Sequence, residues 1–318
     1  MEHYYIGVDV GGTKIAFGLF DKEHRLITRS RIPSDREIDG PKLSALLLRQ
    51  CDLLLETASV PKAQLSGIGV AMPSYILQKE GRILKTSNLP NIRDFPMRDY
   101  LSCRTAAEVR LENDGNAAAL AEFHQGAGRG FKDMLYCPVS TGCSSAIVIN
   151  GHIFHGSYGW AGESGHALIT PGDGPYCGCE NRGCFMSHIS GYMIVQRVIQ
   201  RIQDGAPTEL PDMVKGDLSK LTAEHILRGA QAGDALALWA VDHMAHYMAL
   251  WLFDLYQILN INCFVFGGGL VHFGPLLFDK AFEEFQRYNK NDLPVYFRFA
   301  QLGGDAGIIG AAYLDFEV

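Results

Sequence analysis

Positive charge is scarce in this sequence. With 28 Lys and Arg against 35 Asp and Glu, the formal net charge is −7. No basic block offsets it locally, so neither nucleic acid nor an anionic membrane surface is expected as a partner. A secretory leader is missing too: MEHYYIGVDV has no positive stretch, apolar core and small-residue cleavage site. Long uninterrupted hydrophobic runs are also lacking. The most apolar segment, ALWAVDHMAHYMALWLFDLYQILN, contains Asp242, His243, His246 and Asp254, which suits a buried helix and not a membrane span. A cytoplasmic protein is the expectation. Neither Walker A spacing nor a G-x-G-x-x-G opening a helix after a strand occurs, so any phosphate is bound by another scheme.

The 318 residues, 47% hydrophobic and 20% charged, are enough for two packed domains. YYIGVDVGGTKIAFGLFD reads as strand, glycine turn and strand. MLYCPVSTGCSSAIVINGHIF repeats that plan and ends in an Asn150-Gly151 hairpin turn. Two domains on one design are therefore expected. Between the hairpins lie a helical GPKLSALLLRQCDLLLETA, a buried strand LSGIGVAM, and a strand EVRLEN running into an alanine-rich helix. Apolar helices follow from about Thr222 to Leu259, then a strand into the turn of NCFVFGGGLV and a closing turn and helix in GGDAGIIGAAYL. Strands alternating with helices throughout predict an α/β architecture.

Eight cysteines are present. Cys51, Cys103, Cys137, Cys143 and Cys263 are scattered in apolar or strand-like surroundings and read as small buried hydrophobes. Cys177, Cys179 and Cys184 are crowded into CGCENRGC, where Gly178 and Gly183 let the chain wrap tightly. Zinc takes thiolate and imidazole ligands in a tetrahedron, and His166 completes a Cys3His set with no open position for a catalytic water. The C-x-C-x4-C spacing departs from the commoner C-x2-C pairs, so three reduced surface thiols remain the competing reading.

Three glycine turns after strands are candidate phosphate cradles: DVGGTK (9–14), STG (140–142) and GGG (267–269). Each could equally be a plain tight turn. Asp114 stands at a strand-to-helix junction, where an aspartate either caps free N–H groups, worth roughly 1 kcal/mol, or points its carboxylate outward as a base. Spacing alone leaves both open.

Taken in order, DVGGTKIAFGLFD, the NLP at 88–90, ENDGNAAALAEF, Gly162 to His166, CGCENRGC, FGGGLV and GDAGIIGAA resemble the motifs of the ROK family of sugar kinases and sugar-responsive repressors over nearly the whole chain. The resemblance implies an actin-like ATPase (ribonuclease H-like) fold of two α/β domains with a cleft between them. The smaller domain would span 1–117, rejoined by a C-terminal helix at 304–318, and the larger 118–303 with a zinc loop. It further implies ATP-dependent phosphorylation of a hexose, usually at the 6-hydroxyl, with Asp114 as catalytic base. Asp9 would help place Mg²⁺, Gly11, Gly12, Thr13, Thr141 and Gly142 would line phosphates, and Gly268 and Gly269 would lie near the adenosine. Asn88, Asn113, Glu163 and His166 match sugar-binding positions, and His166, Cys177, Cys179 and Cys184 match a structural zinc set. Family habit implies a homodimer.

Four departures stand out. Met186 occupies the place of a glutamate that hydrogen-bonds the sugar near C1 and C2. Ser140-Thr141-Gly142-Cys143-Ser144-Ser145 replaces a turn richer by three glycines. Ser74 replaces a glycine after Pro73, and Glu180 replaces a glycine after the second cysteine, which reads as solvated loop variation. Glucose is the default substrate; fructose, mannose, allose, an N-acetylhexosamine, or a catalytically weak sugar sensor are the alternatives. Family repressors carry a DNA-binding extension before the first strand, whereas here that strand starts by about Tyr4, so DNA binding is not expected.

Overall fold

The computed structural model describes residues 3–314 and 316. Met1, Glu2 and, in the expected closing segment, Asp315, Glu317 and Val318 lie outside the described residues. The chain divides into two compact units, Met1–Tyr136 with Ala146–Ala161 and Ala300–Val318, and Cys137–Ser145 with Gly162–Phe299.

In the first unit, β1 (Tyr4–Val10) and β2 (Lys14–Phe20) form the antiparallel hairpin around the first glycine turn, with Asp9 opposite Ala16. β3 (Leu26–Pro33) adds an edge strand with alternating exposure, as an edge that ends in proline should. After α1 (Gly40–Thr57), β4 (Leu65–Met72) pairs parallel with β1. A separate sheet of β5 (Ser74–Leu77), β6 (Arg82–Thr86) and β7 (Arg93–Phe95) and the short α2 (Met97–Ser102) precede β8 (Glu108–Asn113), which pairs parallel with β4. β8 runs directly into α3 (Asp114–His124). β9 (Met134–Pro138), β10 (Ala146–Ile149) and β11 (His152–Ile153) form the second hairpin series.

The last helix, Ala306–Ala312, packs on α3 and β1 within the first unit. This approach needs glycine. A Cβ on Gly69 would meet the Ala311 carbonyl oxygen at 1.8 Å, and one on Gly310 the Ala117 oxygen at 1.6 Å. Any side chain there would push the helix off the sheet and shift the elements that carry Asp9 and Asp114.

In the second unit, α4 (Met186–Ile189) follows the cysteine loop, then α5 (Gly191–Gln203), α6 (Leu210–Met213), α7 (Ala223–Gln231) and the 25-residue α8 (Ala235–Leu259). Along α8, Met244, Met248, Trp251 and Leu252 are buried in the core, while Ile258 near its end is exposed. No helix among the described residues is long and apolar enough to cross a membrane. β12 (Cys263–Gly267), fully buried, pairs parallel with β13 (Tyr296–Phe299), and α9 (Pro275–Tyr288) lies between them in sequence. Phe266, Phe278, Phe282 and Phe297 form an aromatic cluster there, with Phe282 and Phe297 stacked at 4.1 Å. Four of the five scattered cysteines are buried as expected, but Cys103 is exposed, because it follows the short surface helix α2.

Candidate active site

In the first unit, the turn Gly11-Gly12-Thr13 is closed by the Gly11 N–H donating to the Lys14 carbonyl at 2.9 Å and the Ser34 N–H to the Thr13 carbonyl at 3.0 Å. Asn88 lies against it: a Cβ on Gly12 would touch the Asn88 Cβ at 3.0 Å. Asp9 sits just before this turn. Burial, and after it the negative charge of Asp114, push the Asp9 carboxyl up to about 6, against the opposite pull of Lys14 and Arg31. A Cβ on Gly307 would lie 2.5 Å from the Asp9 Cγ, so the last helix approaches this carboxylate closely.

The capping question at β8–α3 has a definite answer. Asn113, not Asp114, is the N-cap: its side-chain oxygen accepts from the Gly115 N–H at 2.8 Å and the Asn116 N–H at 3.4 Å. Asp114 is the first helical residue, and burial raises its carboxyl above the usual range while the N–H groups of Gly115 and of Asp114 itself pull it back. Since Asn113 Oδ1 is spent on the cap, its amide nitrogen, which donates to the Ser74 carbonyl at 3.4 Å, is the group left to reach a ligand.

Glu112 is a residue the sequence did not single out. It is 2% exposed, and its Oε1 accepts from Gln78 Nε2, the Asn113 N–H and Asn116 Nδ2 at 2.9–3.1 Å, while His155 Nε2 lies 2.7 Å from its Oε2. A buried carboxylate with this many donors is fully satisfied and fixes the backbone at Asn113 and Asp114. Its position opening ENDGN was visible; its burial was not.

In the second unit, the two remaining turns are neighbours. The Gly191 N–H donates to the Ser140 carbonyl at 2.7 Å, and the Leu270 N–H to the Val139 carbonyl at 3.0 Å. Gly268 has φ +86°, and a Cβ there would meet the Val139 oxygen at 2.5 Å, so only glycine fits. Thr141 and Gly269 line one cavity of about 620 Å³ together with Tyr192, Leu227 and His272, a size usual for a small-molecule site. One of the serines that replace glycines in the 140–145 turn is used: Ser145, 4% exposed, donates to the Gly162 carbonyl and lies 2.9 Å from the Ser164 hydroxyl. Ser164 in turn accepts from the buried Trp251 indole at 3.0 Å. Met186 lies against the same turn, its Cε 3.7 Å from where a Gly142 Cβ would stand.

Glu163 is exposed and precedes the turn of 3₁₀ helix Ser164–His166. His166, Cys177, Cys179 and Cys184 come together with ligand atoms within 4.8 Å of one another. Cys179 and Cys184 sulfurs are 3.6 Å apart and Cys177 Sγ is 3.5 Å from His166 Nδ1. A disulfide needs about 2.05 Å, whereas tetrahedral zinc with bonds of about 2.0–2.3 Å gives ligand separations of about 3.5–3.8 Å. The donor set therefore fits zinc. Burial opposes ionisation of Cys179, but the Asn181 N–H and the Cys177 and Cys184 thiols bring it down to about 6; burial, then the Cys179 and Cys177 sulfurs, push Cys184 up to about 12. Glu180 is exposed, as expected of a solvated variation, yet its φ is +71°, a conformation that favours glycine.

Comparison with known proteins agrees with this arrangement. The chain is 34% identical over 316 residues to a glucokinase of Halalkalibacterium halodurans, covering 98% of this chain and 95% of that one. Its fold is similar to a ROK hexokinase from Thermus thermophilus, with TM-score 0.85, 33% identity and coverage of 97% and 96%. It is also similar to a ROK family glucokinase from Streptomyces griseus solved with glucose and AMPPNP, with TM-score 0.74, 29% identity and 98% coverage of both chains. The α/β fold is accordingly of the actin-like ATPase class. With residues 5–317 matching the family from end to end, the chain belongs to the ROK family.

Proposed function

We propose that this protein is an ATP-dependent sugar kinase that phosphorylates a hexose at its 6-hydroxyl, with Asp114 as the base. The observation that carries the reading is the division of labour at the start of α3. Asn113 caps the helix, which leaves the Asp114 carboxylate for an acceptor hydroxyl. Burial raises its proton affinity, which suits a group that takes a proton late, since phosphoryl transfer needs little nucleophilic push. As the hydroxyl oxygen bonds to the γ-phosphorus, the bond from that phosphorus to the β–γ bridging oxygen breaks, ADP leaves with the electron pair, and the hydroxyl proton passes to Asp114.

Gly11, Gly12, Thr13, Thr141 and Gly142 would present backbone to the phosphates, and Gly268 and Gly269 would lie near the adenosine; of these, Thr141 and Gly269 line the cavity with Tyr192. Asp9 fits a Mg²⁺ site, because a buried carboxyl raised by a like-charged neighbour is relieved by a cation; Mg²⁺, when bound, neutralises charge on the phosphates. Asn88, the Asn113 amide, Glu163 and the second ring nitrogen of His166 bind sugar hydroxyls. His166, Cys177, Cys179 and Cys184 would hold zinc, which would supply structure only, and His166 so held would in turn steady the Glu163 turn.

Glucose is the default acceptor, supported by the kinship with glucokinases. Met186 favours a second reading: an apolar thioether where the family has a hydrogen-bond acceptor suits a hexose substituted near C2, such as an N-acetylhexosamine. The test is a hexose panel with Mg-ATP, following ADP release from the wild type and Asp114→Asn. Turnover should fall by about 10³-fold or more, within the range ascribed to a general base, while sugar binding persists. Unchanged turnover would remove Asp114 from the mechanism.

A further inference from the structure

Arg197 and Arg201 lie one turn apart on α5, where like charges four residues apart repel. Among the described residues neither is in an ion pair, nor is Arg182 on the cysteine loop. Aromatic faces hold them instead: Arg201 lies 3.7 Å and Arg197 5.8 Å from the Trp239 ring centre, and Arg182 lies 4.3 Å from that of Tyr176. Stacking holds a guanidinium plane in place but leaves its N–H edges unspent. Arg197 Nε is buried with no hydrogen-bond partner, and Arg182 uses only its Nε, donating to the Gly174 carbonyl at 3.2 Å.

All three arginines line one cavity of about 700 Å³, bordered by Asp173 and Asp204. Both aspartates are exposed, and Asp204 Oδ1 accepts from Gln200 at 3.0 Å. In a chain with a net charge of −7, three arginines held without carboxylate partners around a cavity form a positive focus, and the flat fork of arginine matches phosphate oxygens in pairs.

We propose that this cavity binds a phosphate monoester or free phosphate dianion, apart from the residues assigned to phosphoryl transfer. Thr141 and Gly269 line a different cavity. Arg182 stands between Cys179 and Cys184, so a bound dianion ties α5 to the cysteine loop, and that loop continues into Met186. Binding at this point therefore bears on the loop that carries His166 contacts. The proposal does not require the kinase reading.

Isothermal titration with inorganic phosphate and, separately, with a hexose 6-phosphate tests it on the full-length protein. The proteins compared are wild type, the double variant Arg197→Gln/Arg201→Gln, and Arg182→Gln. Arg182→Gln alters an exposed side chain and carries the test should the double variant fail to fold. The wild type should bind saturably at millimolar concentration or below, and loss of the charge-assisted pairs should weaken binding about tenfold or more. Tighter binding of the hexose phosphate that the arginine variants lose assigns the site to a sugar phosphate; tighter binding that they keep belongs to the catalytic site, and an equal or weaker affinity at the arginine cavity assigns it to free phosphate. No saturable binding, or the same affinity in every folded variant, overturns the proposal.

Discussion

Ser145 and Ser164 share a hydrogen bond of 2.9 Å that joins the 140–145 turn to the segment bearing Glu163 and His166. The family's glycine could not make it, so the lost backbone freedom is exchanged for a tie between a candidate phosphate turn and a candidate sugar wall. As Ser145 is buried, Ser145→Ala should destabilise the fold by about 1–2 kcal/mol and raise KM for the sugar more than it lowers kcat. Thermal melts and steady-state kinetics check both; an unchanged KM with unchanged stability would make the bond incidental.

Asp9 should make the ligand-free protein less stable at neutral pH than it could be. Its carboxyl is raised from 3.8 to about 6 in the fold, so between those values the folded state binds more protons than the unfolded state. Stability therefore falls as pH rises through that window and stays low above it. Asp9→Asn should be more stable than wild type at pH 7, by up to roughly 3 kcal/mol, with the gain shrinking toward pH 4. Urea titrations of both proteins at several pH values measure the difference. A gain independent of pH would mean that Asp9 is not the titrating group.

Glu180 holds a left-handed conformation in the cysteine loop. Glu180→Gly removes that strain and, after glycine's own entropic cost, should stabilise the loop by about 0.5–1 kcal/mol. Metal analysis of wild type purified without chelator should find one zinc per chain, and the variant should lose it more slowly to a competing chelator. Faster loss would show that the Glu180 side chain contributes something more than the strain costs.

Met186 packs beside Gly142 where the family has an acceptor for the sugar. Met186→Glu should improve kcat/KM for glucose relative to an N-acetylhexosamine by about tenfold, the worth of one hydrogen bond to a partner otherwise left unsatisfied. Competition assays with both sugars read the ratio directly. A ratio that does not move would place position 186 outside the sugar site.

Much of the architecture was legible in the chain itself. Asp114 opens a helix after a strand, the two hairpins flank small-residue turns, and the helices of 222–259 bury Ile226, Leu236, Met244, Met248, Trp251 and Leu252. The sheet of β5, β6 and β7 was not, because its strands are only three to five residues long, too short to establish a period. Cys103 escaped for a related reason: the six-residue α2 gives little sign of which way it faces.

Alternation of apolar and polar residues, turn chemistry and cysteine spacing act over a few neighbours, so the sequence determined the α/β order, the glycine turns and the His166–Cys184 set. Which polar groups are consumed by the fold depended on packing between distant segments. Asn113 reaches Ser74 across 39 positions and Trp251 reaches Ser164 across 87. Only the tertiary structure decided that Asn113 takes the helix cap and Asp114 becomes the first helical residue, that Glu112 is buried, and that three arginines with no carboxylate partner among the described residues share one cavity. A buried donor or acceptor must find its partner wherever the chain brings one, and local pattern holds no information about where that will be.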